Sequence, residues 1–165
     1  MATISTLVDA STRTQRPSRA ANVKVPYLVE FSLDLAAAAT AKGSALASAD
    51  VIQCIRVPAE TVVLFAGFEV VTAQAGGSAD QSVGLGDSGS TSRWVSAFDL
   101  DAAVAGAYAP IVVATANPTA FATASTIDLI ITAATTVGTS GVIRVFACMV
   151  DTSNAAKPGL AALKS

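Results

Sequence analysis

From Tyr27 to Leu35 the chain alternates residue by residue. Tyr27, Val29, Phe31, Leu33 and Leu35 fall on one side, and Glu30, Ser32 and Asp34 on the other. Period two over this length predicts a half-buried strand rather than a helix. Pro26, just before it, suits a strand start or an edge. Ala36–Ala41 either extends this strand or forms a short helical turn, closed by Lys42-Gly43-Ser44. Asp50–Val57 is a second β-branched run, stopped by Pro58, and Thr61–Thr72 is a third and longer one. Gly67 inside it predicts a bulge, or a bend where the strand crosses between sheets. After the Gly76-Gly77 turn, Asp80–Leu85 is a short polar strand, and the glycines of Gly84-Leu85-Gly86-Asp87 are assigned to turn conformations. Further strands are predicted over Arg93–Phe98, Tyr108–Thr115, Thr126–Thr132 and Val142–Val150, with Asp99–Ala105 a helical or irregular link. The last strand is apolar on both faces apart from Arg144, which predicts a central position.

About eight strands with a turn signal every dozen residues is the spacing of an all-β sandwich or barrel. No sustained amphipathic helix supports a parallel βαβ arrangement. The expected fold is therefore an all-β antiparallel β-sandwich, jelly-roll-like, with an extended N-terminal arm; an immunoglobulin-like sandwich is the second choice. The arm is residues 1–24, the sandwich 25–151 and a C-terminal tail 152–165. Arg13, Arg16, Arg19 and Lys24 face a single acid, Asp9, within the arm, and no apolar periodicity there supports a packed strand. Such a segment is expected to order only against a partner. In the tail, Lys157-Pro158-Gly159 disfavours regular structure.

Composition sharpens this picture. Of 165 residues, 52% are hydrophobic and 13% charged, about half the charged share of an ordinary soluble domain. Disorder is excluded. The uncharged run between Asp101 and Asp128 is long enough to span a bilayer, but Gly106, Pro110, Asn117 and Pro118 interrupt it, so no membrane partner is expected. Met1–Arg16 holds no apolar core of a signal peptide. A net charge of −2 gives no field that favours nucleic acid. Apolar residues on both faces of Phe65–Val71 and Val142–Val150 exceed what one small sandwich core uses. That surplus implies self-association, of the order of ~800 Å² per subunit in a specific complex.

The candidate chemistry is thin. Histidine is absent, which removes the commonest general base and metal ligand. A serine–lysine dyad is disfavoured, because Lys24, Lys42, Lys157 and Lys164 lie near arms or turns. Asp99 and Asp101, with Asp87 or Asp80, are candidates for a cation site but read better as solvated loop acids. Gly84–Asp87 lacks the lysine and helix of a phosphate cradle. Cys54 and Cys148 form no CxxC pair and are expected as buried core thiols, a cross-strand disulfide being the alternative. Trp94 and Phe68 are expected in the core; a glycan site on Trp94 and Asp99 is the alternative. No enzyme activity, no cofactor and no metal are expected.

Several short motifs, taken in order, resemble capsid cement or decoration proteins of tailed bacteriophages. They are Tyr27–Phe31, Gly43–Leu46, Asp50–Gln53 with Val57-Pro58-Ala59, Gly67–Val71, Gly84–Asp87 and Val145–Asp151, spanning Lys24 to Asp151. The resemblance implies a jelly-roll domain that assembles as a homotrimer over capsomer junctions on the capsid exterior, with no catalytic residues. It also implies the major capsid protein as partner, met by Arg13, Arg16, Arg19 and Lys24 of the arm. The competing expectations are a trimeric receptor-binding or head/tail-fibre β-domain that recognises host glycans, a virion wall hydrolase, and a non-viral binding module.

Overall fold

A computed structural model describes residues 3–8, 25–77, 80–109, 120–134, 138 and 140–152. The elements run β1 (Thr3–Val8), β2 (Tyr27–Asp34), α1 (Leu35–Lys42), β3 (Val51–Val57), β4 (Thr61–Ala75), β5 (Ser82–Asp87), β6 (Ser90–Asp99), β7 (Ser125–Ala133) and β8 (Ser140–Asp151). They form a five-stranded sheet, order β1-β3-β7-β5-β6, and a three-stranded sheet, order β2-β8-β4. All pairings but one are antiparallel. The chain passes from one sheet to the other at almost every connection, so sequence neighbours are seldom sheet neighbours. This is the expected jelly-roll-like sandwich. A short rung beside β4 extends the smaller sheet: Tyr108 bridges Glu69, with Val70 N–H donating to the Ala107 carbonyl at 2.8 Å and Ala109 N–H to that of Phe68 at 3.0 Å. The predicted strand Tyr108–Thr115 is seen only at this start, because 110–119 lie outside the described residues.

Alternation decides what the sheets bury between them. Ile127, Leu129 and Ile131 of β7 are fully buried, as are Val83 and Leu85 of β5. Val145, Ala147 and Met149 of β8 meet them from the other sheet, and β8 lies at its centre, as its apolar faces predict. Phe68 packs edge-on against Phe98, ring centroids 5.1 Å apart. Trp94 is 2% exposed, a core residue. Each such side chain contributes about 1.5–3 kcal/mol by leaving water.

The Tyr27–Leu35 alternation holds until Asp34, which ends the strand by capping a helix. Its carboxylate accepts from Ala36 N–H at 2.8 Å and from Ala37 N–H, satisfying donors that the first helical turn leaves open. Gly43, left-handed at φ 77°, closes α1 by donating to the Ala39 and Thr40 carbonyls. Leu35 and Ala38 turn inward. Lys42 then reaches the buried Asp50 at 2.6 Å, fastening the helix end to the start of β3.

Three local expectations are corrected. The arm does hold a strand: Thr3–Val8 pairs in parallel with β3 in the register Thr3↔Val51, Ile4↔Ile52, Ser5↔Gln53. Backbone hydrogen bonding needs no apolar period, which is why the pattern gave no sign of it. Gly67 is not a bulge, for it sits in regular register opposite Phe146, and β4 stays within one sheet; the irregularities fall at Val63/Phe65, Val70/Thr72 and Thr72/Ala75. Gly84 and Gly86 lie inside β5 rather than in turns. Between the pairs Leu85↔Val95 and Asp87↔Ser90, the single Gly86 faces the whole stretch Thr91–Trp94. This crowded stretch folds over it, and a Cβ on Gly86 would lie 2.1 Å from the Ser90 carbonyl oxygen.

Candidate functional site

With the core filled, the outer face of the three-stranded sheet carries the surplus nonpolar residues. Register aligns Leu28, Cys148 and Phe65 in one row, Glu30, Phe146 and Gly67 in the next, and Ser32, Arg144 and Glu69 in a third. Val150 and Val62 continue the apolar end. These side chains point away from the core because their neighbours Val29, Ala147 and Ala66 point into it. Leu28 is 55% exposed and Tyr108 57%. The Tyr108 ring lies 6.4 Å from that of Phe146, centroid to centroid.

The third row is polar and gives the patch direction. Arg144 Nε donates to Glu69 Oε2 at 3.0 Å, and a second guanidinium nitrogen contacts the same oxygen. The Glu69 hydrogen bond, followed by its charge, holds the Arg144 guanidinium above its ordinary value, with smaller contributions from Glu30 and the Tyr108 hydroxyl. The result is an apolar surface around Leu28, Phe65, Phe146 and Tyr108 bordered by the charges of Glu30, Glu69 and Arg144, the composition of an interface core beside its rim.

A second cluster lies on the larger sheet. Asp87 Oδ1 accepts from Gly89 N–H at 2.9 Å and Ser90 N–H at 2.8 Å, while Arg93 binds Oδ2 at 2.5 Å. Asp128, paired in register with Gly86 and Gln53, is 4% exposed, and its Oδ1 finds no hydrogen-bond partner among the described residues. Burial pushes the Asp128 carboxyl up; the Thr126 hydroxyl pulls it down and the Asp87 charge adds to the rise. A carboxyl raised in the folded state favours the fold below its unfolded pKa of about 3.9 and loses that contribution as pH rises through the folded value. Asp128→Asn, which keeps the shape and drops the charge, should therefore melt about 2–4 °C above wild type at pH 7–8. The difference should vanish towards pH 3, as paired thermal melts across this range would show.

The remaining candidates are placed as follows. Asp99 spends its carboxylate on the N–H groups of Asp101 and Ala102, and Asp101 accepts from Gln74 Nε2 at 2.9 Å. Among the described residues no three His, Cys, Asp or Glu side chains converge as a metal site needs. Trp94 is buried while Asp99 is exposed, so the two form no open sugar platform. Cys54 is a core thiol, pushed by burial up to about 12 and far from reactive. Cys148 is not in the core: it is half-buried on the outer sheet face, and both thiols are free. Arg13, Arg16, Arg19 and Lys24 lie outside the described residues. No helix among the described residues is long and apolar enough to cross a membrane. The outward face of the small sheet was foreshadowed by the apolar runs of β4 and β8; the Asp87–Asp128 cluster left no such trace, because only the crowded stretch before Trp94 brings Arg93 over it.

No family model matches the chain, and no curated protein does. Solved structures do. The chain superposes on one in the capsid of Ralstonia phage GP4 with a TM-score of 0.60 at 15% identity, covering 89% of this chain and 99% of that one. It superposes on one in the cyanophage Pam1 capsid asymmetric unit with a TM-score of 0.55 at 15% identity, covering 87% and 96%. At that identity the likeness is one of fold, over nearly the full length of both neighbours.

Proposed function

We infer that the chain is a structural virion protein, a cement or decoration protein that binds the outer surface of a phage capsid and stabilises the head. The observation that carries this reading is the apolar outer face around Leu28, Phe65, Phe146 and Tyr108, on a sandwich that already has a complete core. A monomer has no use for such a face, and burial against further copies removes it from water. The fold likeness to chains in two phage capsids supports the same reading. In it the copies associate as a homotrimer, and the basic segment with Arg13, Arg16, Arg19 and Lys24 lies on acidic patches of the major capsid protein. Each exposed ion pair contributes only ~0–1 kcal/mol. Several copies of the segment acting together turn such weak contacts into stable attachment. No catalytic step is assigned to any residue.

The test is co-sedimentation of the purified protein with heads that lack it, alongside its mass by light scattering. Wild type is expected as an oligomer that saturates the heads. Leu28→Lys with Tyr108→Ala, both at exposed positions, should reduce the oligomer to single chains at micromolar concentration that remain folded by circular dichroism. Replacing Arg13, Arg16 and Arg19 by Ala should keep the oligomer and weaken head binding at least tenfold. A wild-type protein that stays a single chain and never sediments with heads overturns the reading.

A further inference from the structure

The edge of β3 receives Thr3–Val8 of the same chain as a parallel strand. β1 lies at the edge of its sheet, where β3 is its one strand neighbour among the described residues and α1 lies against it, and its parallel ladder is regular over Thr3, Ile4 and Ser5 and irregular before Val8. Parallel pairing is the weaker kind per residue, and a strand bonded on one side separates more readily than one bonded on both. Its covalent tie to its own body is the connection to β2, residues 9–26. At roughly 3.3–3.6 Å per residue that connection reaches about 60 Å at full extension. A folded chain of this size has a radius of gyration of about 15 Å. The edge of an adjacent copy is thus within range of the same strand.

We propose that β1 is exchangeable: Thr3–Val8 of one copy completes the β3 edge of its neighbour, linking subunits through main-chain hydrogen bonds. Every backbone bond made within one chain is remade between two, so the exchange loses no ladder contact, and the balance is set by effective concentration alone. Dilute protein keeps the strand at home. Copies held side by side at millimolar effective concentration share it. An open β3 edge also never persists, which matters because an unpaired edge is a template for unspecific pairing.

The register supplies the experiment. Ser5 and Gln53 are ladder partners, and strands in a sheet stand about 4.8 Å apart, inside the Cα separation a disulfide bridges. In a Cys148→Ser background, Ser5→Cys and Gln53→Cys are made in separate full-length chains, mixed one to one, unfolded, refolded together and oxidised. A chain carrying both substitutions is treated in parallel, and Thr3→Cys with Val51→Cys repeats the design at the next regular pair. The proposal expects an interchain disulfide between the two singly substituted chains, its yield rising with protein concentration from micromolar to millimolar. It is overturned if the doubly substituted chain closes within itself at every concentration while the mixture gives no linked dimer. It is equally overturned if neither arrangement closes at either pair, because β1 then does not dock on β3. The test uses no capsid, so its failure leaves the reading of the apolar sheet face untouched.

Discussion

Gly86→Ala should cost about 3 kcal/mol or more, enough to leave much of the protein unfolded or insoluble at 37 °C. The added methyl would meet the Ser90 carbonyl oxygen at 2.1 Å and the Thr91 carbonyl carbon at 2.4 Å. Both are backbone atoms of a stretch pinned at each end by the pairs Asp87↔Ser90 and Leu85↔Val95, so no rotamer change relieves the contact. Gly84 supplies the control on the same strand. Its nearest neighbours would be the Val95 carbonyl oxygen at 3.1 Å and the Thr132 methyl at 3.2 Å, distances that a shift of a few tenths of an ångström accommodates. Gly84→Ala should therefore lose about 1 kcal/mol. Urea unfolding followed by tryptophan fluorescence reads both, since Trp94 is buried in the same hairpin. Equal midpoints for the two variants would mean that the crowding over Gly86 is absent.

Asp87→Ala has the next largest effect, a loss of about 2–4 kcal/mol. The carboxylate is 1% exposed and serves three donors at once. Without it the Gly89 and Ser90 N–H groups lose their acceptor, at about 1–3 kcal/mol for whichever stays buried. Arg93 also loses its partner, but its side chain is 37% exposed and recovers water, so the full penalty of a stranded buried charge does not apply. Asp87→Asn keeps an oxygen for the two N–H groups and should lose about half as much. The same change removes the charge that raises the Asp128 carboxyl, so Asp87→Asn and Asp128→Asn should not add. Each single change already relieves the same repulsion, so the double variant is expected to be less stable than the sum of the two single effects, measurable as a coupling of about 0.5–1 kcal/mol in a double-mutant cycle.

Sequence pattern carries the sandwich and misses its joints, and the residues show why. The alternation of β2 and the two-faced apolar run of β8 are properties of single strands, and a side chain's face follows directly from its place in the period. Trp94 and Phe68 read as core because aromatics are only 5% of the chain and are not interleaved with Lys or Arg as a stacking surface needs. The Gly84-Leu85-Gly86 stretch reads as turn because glycine is commonest there, whereas its role depends on where another strand's backbone passes. Gly67 misleads in the opposite sense, for it keeps regular register opposite Phe146 and marks no break. β1 is invisible to periodicity, since it is fixed by backbone pairing with β3, far along the chain. The candidate surface was legible as a surplus of nonpolar residues, yet its location on the smaller sheet needed the register of three strands at once. The helix α1 hid in an alanine run that fits strand or helix equally; the Asp34 cap decides it.

The to-and-fro path of the chain between the sheets bears on how the protein comes to be made. β3 waits for β7, and β2 for β8, so the pairs that close each sheet join segments from opposite halves of the chain. Loop closure must be met before those pairs can form, and a topology of this kind folds on millisecond to second scales rather than microseconds. During synthesis β2 emerges long before its partner β8 leaves the ribosome, with Leu28 and Phe31 uncovered in the interval. Yield in a host should then depend on translation speed and chaperone supply more steeply than on the stability of the finished sandwich.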